Sequence, residues 1–210
     1  MYQEHCVDGT QKFARESSEH LKLVILMVSL SIQQNWKSIG SQLLHVKKHG
    51  VDSHYLFGFK KDTYAYVDEH KDKLYEQYIA VVDSDKTDKV KALELLKIFY
   101  EVPGLNLIKA GFVCQLVAGL VGCIDSNNEQ VKEYRIKPND IKLAKSVQSE
   151  KIRNKKMLKY ISICHKIGTE NLWNNWCTLV YKKRKWENSF TVSKVHIDYL
   201  ESVNGNFNGR

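Results

Sequence analysis

The chain has 210 residues, of which 43% are hydrophobic and 10% aromatic, enough for a packed core in one large domain or two small interleaved lobes. Its 32 Lys and Arg outnumber 24 Asp and Glu, and the formal charge of +8 favours a polyanionic partner. The five cysteines (Cys6, Cys114, Cys123, Cys164 and Cys177) are widely spaced without a CxxC pair, which argues against a disulfide framework and an iron–sulfur cluster and for a reduced, cytoplasmic setting.

In chain order, the apolar run from Ser17 to Ser31 predicts a helix buried nearly all round, capped by the serines of "RESSEH". Its most apolar part, residues 21–32, is too short to cross a bilayer. A second helix is expected from about Trp36 to Lys48, with Ile39, Leu43, Leu44 and Val46 inward, stopping at His49-Gly50. "HYLFGF" reads as extended or as a short turn, and "YVDEHKDKLYEQYIAVV" as a helix. Thr87 or Asp88 caps the next helix, "KVKALELLKIFYE", whose Val90, Leu93, Leu96, Ile98 and Phe99 form an apolar face.

Pro103-Gly104 is a turn signal, and "LIKAGFVCQLVAGL" follows as a helix ending at Gly119 to Gly122. A further helix is expected after Pro138, then an amphipathic one over "KIRNKKMLKYISICHKIG". The next, "TENLWNNWCTLVYKKRKW", takes Thr169 as its cap and Leu172, Trp173, Trp176 and Leu179 as its buried stripe. Only "SFTVSKVHI" hints at alternation, and the tail 204–210 reads as disordered. The expected fold is mostly α, a single unit over 1–210 with a helical core at 20–130 and a basic helical part at 131–203 packing back on the N-terminal region.

A helix that starts just after a tight turn offers free backbone N–H groups and the positive end of its dipole, a phosphate-binding arrangement that needs no side chain. Gly104 supplies positive φ freely and Asn106 tolerates left-handed geometry. An ordinary connection between helices fits the same letters.

Three phrases in order resemble the helix-hairpin-helix DNA glycosylases, the superfamily of the endonuclease III, adenine-mismatch and alkylbase enzymes. Val102-Pro103-Gly104-Leu105-Asn106, with Ala110 beyond it, looks like that family's hairpin, at about 89–120. Ile124-Asp125-Ser126-Asn127 resembles the phrase that carries its aspartate, and Ile32-Gln33-Gln34-Asn35 its glutamine corner. The resemblance implies a two-lobed helical fold and a DNA base-excision activity that hydrolyses the N-glycosidic bond of a base flipped out of duplex DNA. It further implies a monomer with double-stranded DNA as partner, no membrane and no cofactor other than a monovalent cation at the hairpin backbone.

By that resemblance Asp125 is the catalytic carboxylate, favouring an oxocarbenium-like sugar and orienting water. The same residue also reads as a helix cap. The family's Schiff-base lysine stands where this chain has Ile108, while Lys109 lies one position later, about 100° round the helix. Lys109 is therefore expected to face DNA backbone or solvent, and the enzyme to be monofunctional. A register shift would instead make Lys109 the nucleophile of a bifunctional lyase, and loss of turnover would leave a DNA-binding module.

DNA contacts are expected from Gln33, Gln34, Asn35, Val102, Gly104, Leu105, Asn106 and Lys109, with Gln33 or Gln34 filling the vacated stack. Trp36, with Tyr55, Phe57 and Phe59 as further aromatics, is the candidate base pocket, although aromatics in a helical protein also serve as packing. Lys47, Lys48, Lys60, Lys61, Lys151, Arg153, Lys155, Lys156 and Lys182 to Lys185 are expected around the mouth. His45, His49 and His54 fall close together, but no HExxH, CxxC or histidine–carboxylate spacing demands a metal.

Overall fold

The structure is a computed structural model that describes residues 2–32, 38–147 and 149–184. The described residues form α-helices joined by short turns, with no strand among them. In chain order these are α1 (Tyr2–Glu16), α2 (Ser18–Leu30), α3 (Ile39–His49), α4 (Phe59–Val82), α5 (Asp88–Glu101), α6 (Leu107–Ala118), α7 (Ser126–Glu129), α8 (Pro138–Ile141), α9 (Glu150–Ile167) and α10 (Thr169–Arg184).

Helix α2 is the centre. Ser17 caps it by accepting from the His20 amide at 3.2 Å, and every residue from His20 to Leu30 is buried. It is bordered by α1, α3, α4 and α6. Burial on all sides requires Lys22 to be satisfied in place, and its ammonium meets Asp68 at 2.6 Å and Glu19 at 3.0 Å. Lys60, only 1% exposed, sends its ammonium to the Leu30 carbonyl at 3.2 Å, where a cation suits the negative end of the α2 dipole.

Several sequence expectations change in detail. Leu44 and Val90 face outward, at 47% and 41% exposure; Gln42 is buried on α3 in addition to Ile39, Leu43 and Val46. Helix α4 begins at Phe59, well before "YVDEH", after Gly58 with φ +52. The segment after Pro138 is one turn only, because Lys142 returns to extended backbone. Thr87 occupies the N-cap of α5 without a side-chain bond. The segment "SFTVSKVHI", the tail and the side chain of Leu179 lie outside the described residues.

One close crossing fixes the region after α6. Gly111 is buried in the middle of α6, a position where glycine ordinarily weakens a helix. A Cβ there would stand 2.7 Å from the Tyr160 hydroxyl and 3.0 Å from the Gly122 carbonyl oxygen. The missing side chain lets α9 and the 121–125 segment lie directly on α6.

Candidate nucleic-acid interface

Helices α5 and α6 pack together and are joined by residues 102–106. Val102 is extended (φ −60°, ψ 123°), as the residue before a proline should be. The Leu105 amide donates to the Val102 carbonyl at 3.2 Å and closes the turn. Gly104 has φ +78°, the left-handed conformation expected of it. Its Cα also abuts α4: an added Cβ would lie 2.6 Å from both Phe59 Cδ2 and Thr63 Oγ1.

Of the five tip residues, Gly104 and Asn106 are exposed, whereas Val102 and Leu105 are wholly buried. Val102 and Leu105 are thus anchors under the turn, and their side chains are not available to a ligand. Asn106 departs from the left-handed geometry allowed for it. It is extended (φ −82°, ψ 177°) and caps α6, its side-chain oxygen accepting from the Lys109 amide at 3.0 Å. One of the helix's first free amides is therefore already satisfied.

Asp125 stands at the far end of α6, after the turn through Gly119. Its carboxylate caps α7: Oδ1 accepts from the amides of Asn127 (3.0 Å) and Asn128 (3.2 Å), and Oδ2 from the Asn127 side chain (2.9 Å). The segment that carries it is held from three sides. The Tyr160 hydroxyl donates to the Gly122 carbonyl (2.7 Å) and accepts from the Ile124 amide (3.1 Å), and Gln115 accepts from the Cys123 amide (2.9 Å). Asn128 donates to the Cys123 carbonyl (2.8 Å) and the Leu172 carbonyl (3.2 Å).

Lys109 is half-buried, with its ammonium 5.5 Å from the centre of the Phe112 ring. The Cys123 thiol is pushed up to about 12, first by burial and then by the Asp125 carboxylate, with Lys109 acting in the opposite sense. Both charges therefore act on one buried sulfur. Ile108 is also half-buried and packs against the core.

Sequence reasoning did not bring α10 to this place. Phe112, Trp173 and Trp176 form an aromatic cluster with ring centres 5.6 to 6.5 Å apart, and Lys109 lies over its Phe112 edge. The Asn175 side chain reaches Asn128 at 2.9 Å, so α10 also supports the turn that Asp125 caps. The available signal was spacing: Lys109 and Phe112, like Trp173 and Trp176, are three residues apart and share a helix face.

The basic residues divide. Lys48, Lys61, Lys151 and Lys155 are exposed, as is Lys47. Lys60 faces inward to Leu30, Arg153 pairs with Glu101 at 2.9 Å, and Lys156 bonds the Asn139 carbonyl. Lys145, which was not singled out from the sequence, sits at the hairpin instead. Its ammonium is 3.3 Å from the Val102 carbonyl and 4.0 Å from the centre of the Tyr100 ring, and burial lowers its pKa to about 8.

Gln33, Gln34, Asn35 and Trp36, the expected glutamine corner and base pocket, lie outside the described residues, as do the side chains of Lys182 to Lys185. Tyr55 packs among histidines, and Phe57 and Phe59 are exposed, Phe59 beside Gly104 of the hairpin. Among the described residues no three His, Cys, Asp or Glu side chains converge to hold a metal ion, and no helix is long and apolar enough to cross a membrane.

No family model matches the chain. Nor does any curated protein or solved structure.

Proposed function

We propose that the protein is a monofunctional DNA glycosylase, which binds double-stranded DNA through the 102–106 hairpin and hydrolyses the N-glycosidic bond of a flipped-out damaged, mismatched or modified base. The observation that carries this reading is the exposed, left-handed Gly104 turn at one end of α6 with the Asp125 carboxylate beyond its other end. A phosphate at the turn would meet backbone N–H groups and the helix dipole. The carboxylate of Asp125 supplies the fixed negative charge that an oxocarbenium-like sugar requires, and it orients water for attack. Lys109 and Lys61 contribute to phosphate attraction, and the half-buried Trp176 offers a surface for a base face.

Hydrolysis is favoured over a lyase mechanism because the family's nucleophile position is Ile108. Lys109 lies one position on, with its ammonium over the Phe112 ring. A second reading, a non-catalytic DNA-binding module, draws on the capping bonds that occupy both Asp125 oxygens.

The deciding experiment is a screen of duplexes bearing uracil, hydroxymethyluracil, 8-oxoguanine, alkylated purines and mismatches, with and without hot alkali. Alkali-dependent cleavage at one lesion is expected. Cleavage without alkali would mean a lyase, and binding with no abasic product on any duplex would leave the binding module.

A further inference from the structure

Beside the hairpin the chain turns a corner at Phe57-Gly58-Phe59, where α4 begins. Phe57, at 53% exposure, is the most exposed large apolar side chain among the described residues, and Phe59, on the other side of Gly58 in sequence, is exposed as well. Gly58 has φ +52°, and a Cβ there would meet nothing within 4 Å, so the corner stands clear of its neighbours. Adjacent exposed rings, unlike a lone one, point to a surface that something covers.

The corner is nonetheless held still. The buried Leu56 donates its amide to the Ser53 carbonyl at 2.9 Å, and the amides of Lys60 and Lys61 donate to the carbonyls of Phe57 (3.2 Å) and Gly58 (3.1 Å). The Thr63 hydroxyl lies 3.0 Å from the Phe59 carbonyl and 2.7 Å from that of Pro103, which makes corner and hairpin tip one rigid surface. A Cβ on Gly104 would stand 3.3 Å from the Phe59 carbonyl oxygen, so the start of α4 adjoins the turn that starts α6, and two positive dipole ends lie near one another. Lys60 adds a buried ammonium 4.7 Å from the centre of the Phe57 ring, and Lys61 is exposed; Asp62 is the acid of the first turn.

We propose that Phe57 and Phe59 form a stacking surface for the unpaired bases of single-stranded DNA whose phosphates cross the 102–106 hairpin. This rests on the reading of that hairpin as a phosphate site and adds a second form of DNA to it. Aromatic rings interleaved with positive charge match a strand in which bases and phosphates alternate, and every base has a face to stack whatever its identity. The Phe57 ring has the Lys60 ammonium on one side, while the residue remains open to solvent. Because the corner is already rigid, binding orders little of the protein. A fully paired duplex keeps its bases stacked on one another and offers the rings none.

The test is fluorescence anisotropy of the full chain with an oligothymidylate of about 12 nucleotides, and with a blunt duplex of the same length, over a range of salt. Phe57→Leu and Phe59→Leu, which keep an apolar side chain and lose the ring, should each weaken single-strand binding about tenfold. The salt slope should stay at the parental value, because no phosphate contact is lost, and duplex affinity should not change. Ile152→Ala, a comparably exposed apolar position on α9, should bind both DNAs as the parent does. Parental single-strand affinity in either phenylalanine variant, or an equal loss with the duplex, would overturn the proposal and leave the hairpin reading standing; a parent that binds neither DNA would overturn both. Self-association of the parent that Phe57→Ser abolishes would also overturn it, assigning the rings to a contact between copies of the chain.

Discussion

Thr63, buried in the second turn of α4, places its hydroxyl 2.7 Å from the carbonyl oxygen of Pro103, forty positions later in the chain. The hairpin tip is therefore seated on α4 and does not project freely. Thr63→Val should leave that carbonyl without its partner and cost about 1 kcal/mol. Gly104→Ala should cost about 1–3 kcal/mol from the left-handed backbone alone, before the contact with Phe59 and Thr63 is counted. Chemical denaturation of both variants measures these losses, and a Gly104→Ala protein as stable as the parent would contradict the described turn.

Asp125→Asn separates charge from capping. Asparagine is as good an N-cap as aspartate, so this variant should keep the fold and its DNA affinity while base release disappears. Asp125→Ala should lose about 1 kcal/mol of stability in addition. If Asp125→Asn releases bases at the parental rate, the carboxylate is a cap and nothing more.

Tyr160→Phe removes one hydroxyl from between the Gly122 carbonyl and the Ile124 amide, and leaves both buried. The expected destabilisation is about 1–3 kcal/mol. Because these groups position the segment that ends at Asp125, kcat for base release should fall while the salt dependence of DNA binding stays at the parental slope. Loss of both together would point to general unfolding.

Lys145 titrates near pH 8, so at that pH about half of it is the neutral, nucleophilic amine, whereas ordinary lysines are almost wholly protonated. Limited acetylation at pH 8, read by mass spectrometry, should modify Lys145 ahead of Lys142 and Lys151, which are exposed as it is. Its lowered pKa also means that folding favours the unprotonated amine. Stability should therefore rise from pH 8 toward 10.5 in the parent relative to Lys145→Met. Equal labelling of the three lysines would remove the basis for both expectations.

The His45 pKa is shifted down, so the folded state binds protons at this site less readily than the unfolded chain. Stability from this source is present above the ordinary histidine value near 6.5 and is lost as pH falls below it. The protein should melt at a lower temperature at pH 5.5 than at pH 7.5. His45→Phe, which keeps the ring contacts with His49 and His54, should show a shallower slope over the same window.

Much of this architecture was legible because its signals are local. Ser17 before an unbroken apolar run, Gly119 after one, and Pro-Gly between two periodic segments each predict a boundary from a few adjacent residues, and α2, α5 and α6 follow those boundaries. Leu44 and Val90 were misplaced for a different reason: helical spacing tells which residues share a face but not how wide the covered stripe is.

The site was legible only in part. Gly104 announces its conformation by its identity, whereas Asn106 has two uses for one side chain, and capping wins where its oxygen faces the Lys109 amide. The meeting of Phe112 with Trp173 and Trp176 depends on how distant helices cross, and that of Lys145 with Val102 on how the turn before α9 lies against the hairpin. The inward turn of Lys60 depends on where α2 ends relative to α4, which no property of lysine encodes.

The complete burial of α2 has a consequence for how the molecule comes apart. A helix with no face of its own cannot be left behind when a neighbour detaches, since α1, α3, α4 and α6 each cover a different side of it. Of the hairpin helices, α6 thus packs on both α1 and α2. Heat or denaturant should find no stable half-molecule across residues 2–118, and removal of α1 alone should turn a folded protein into an aggregating one.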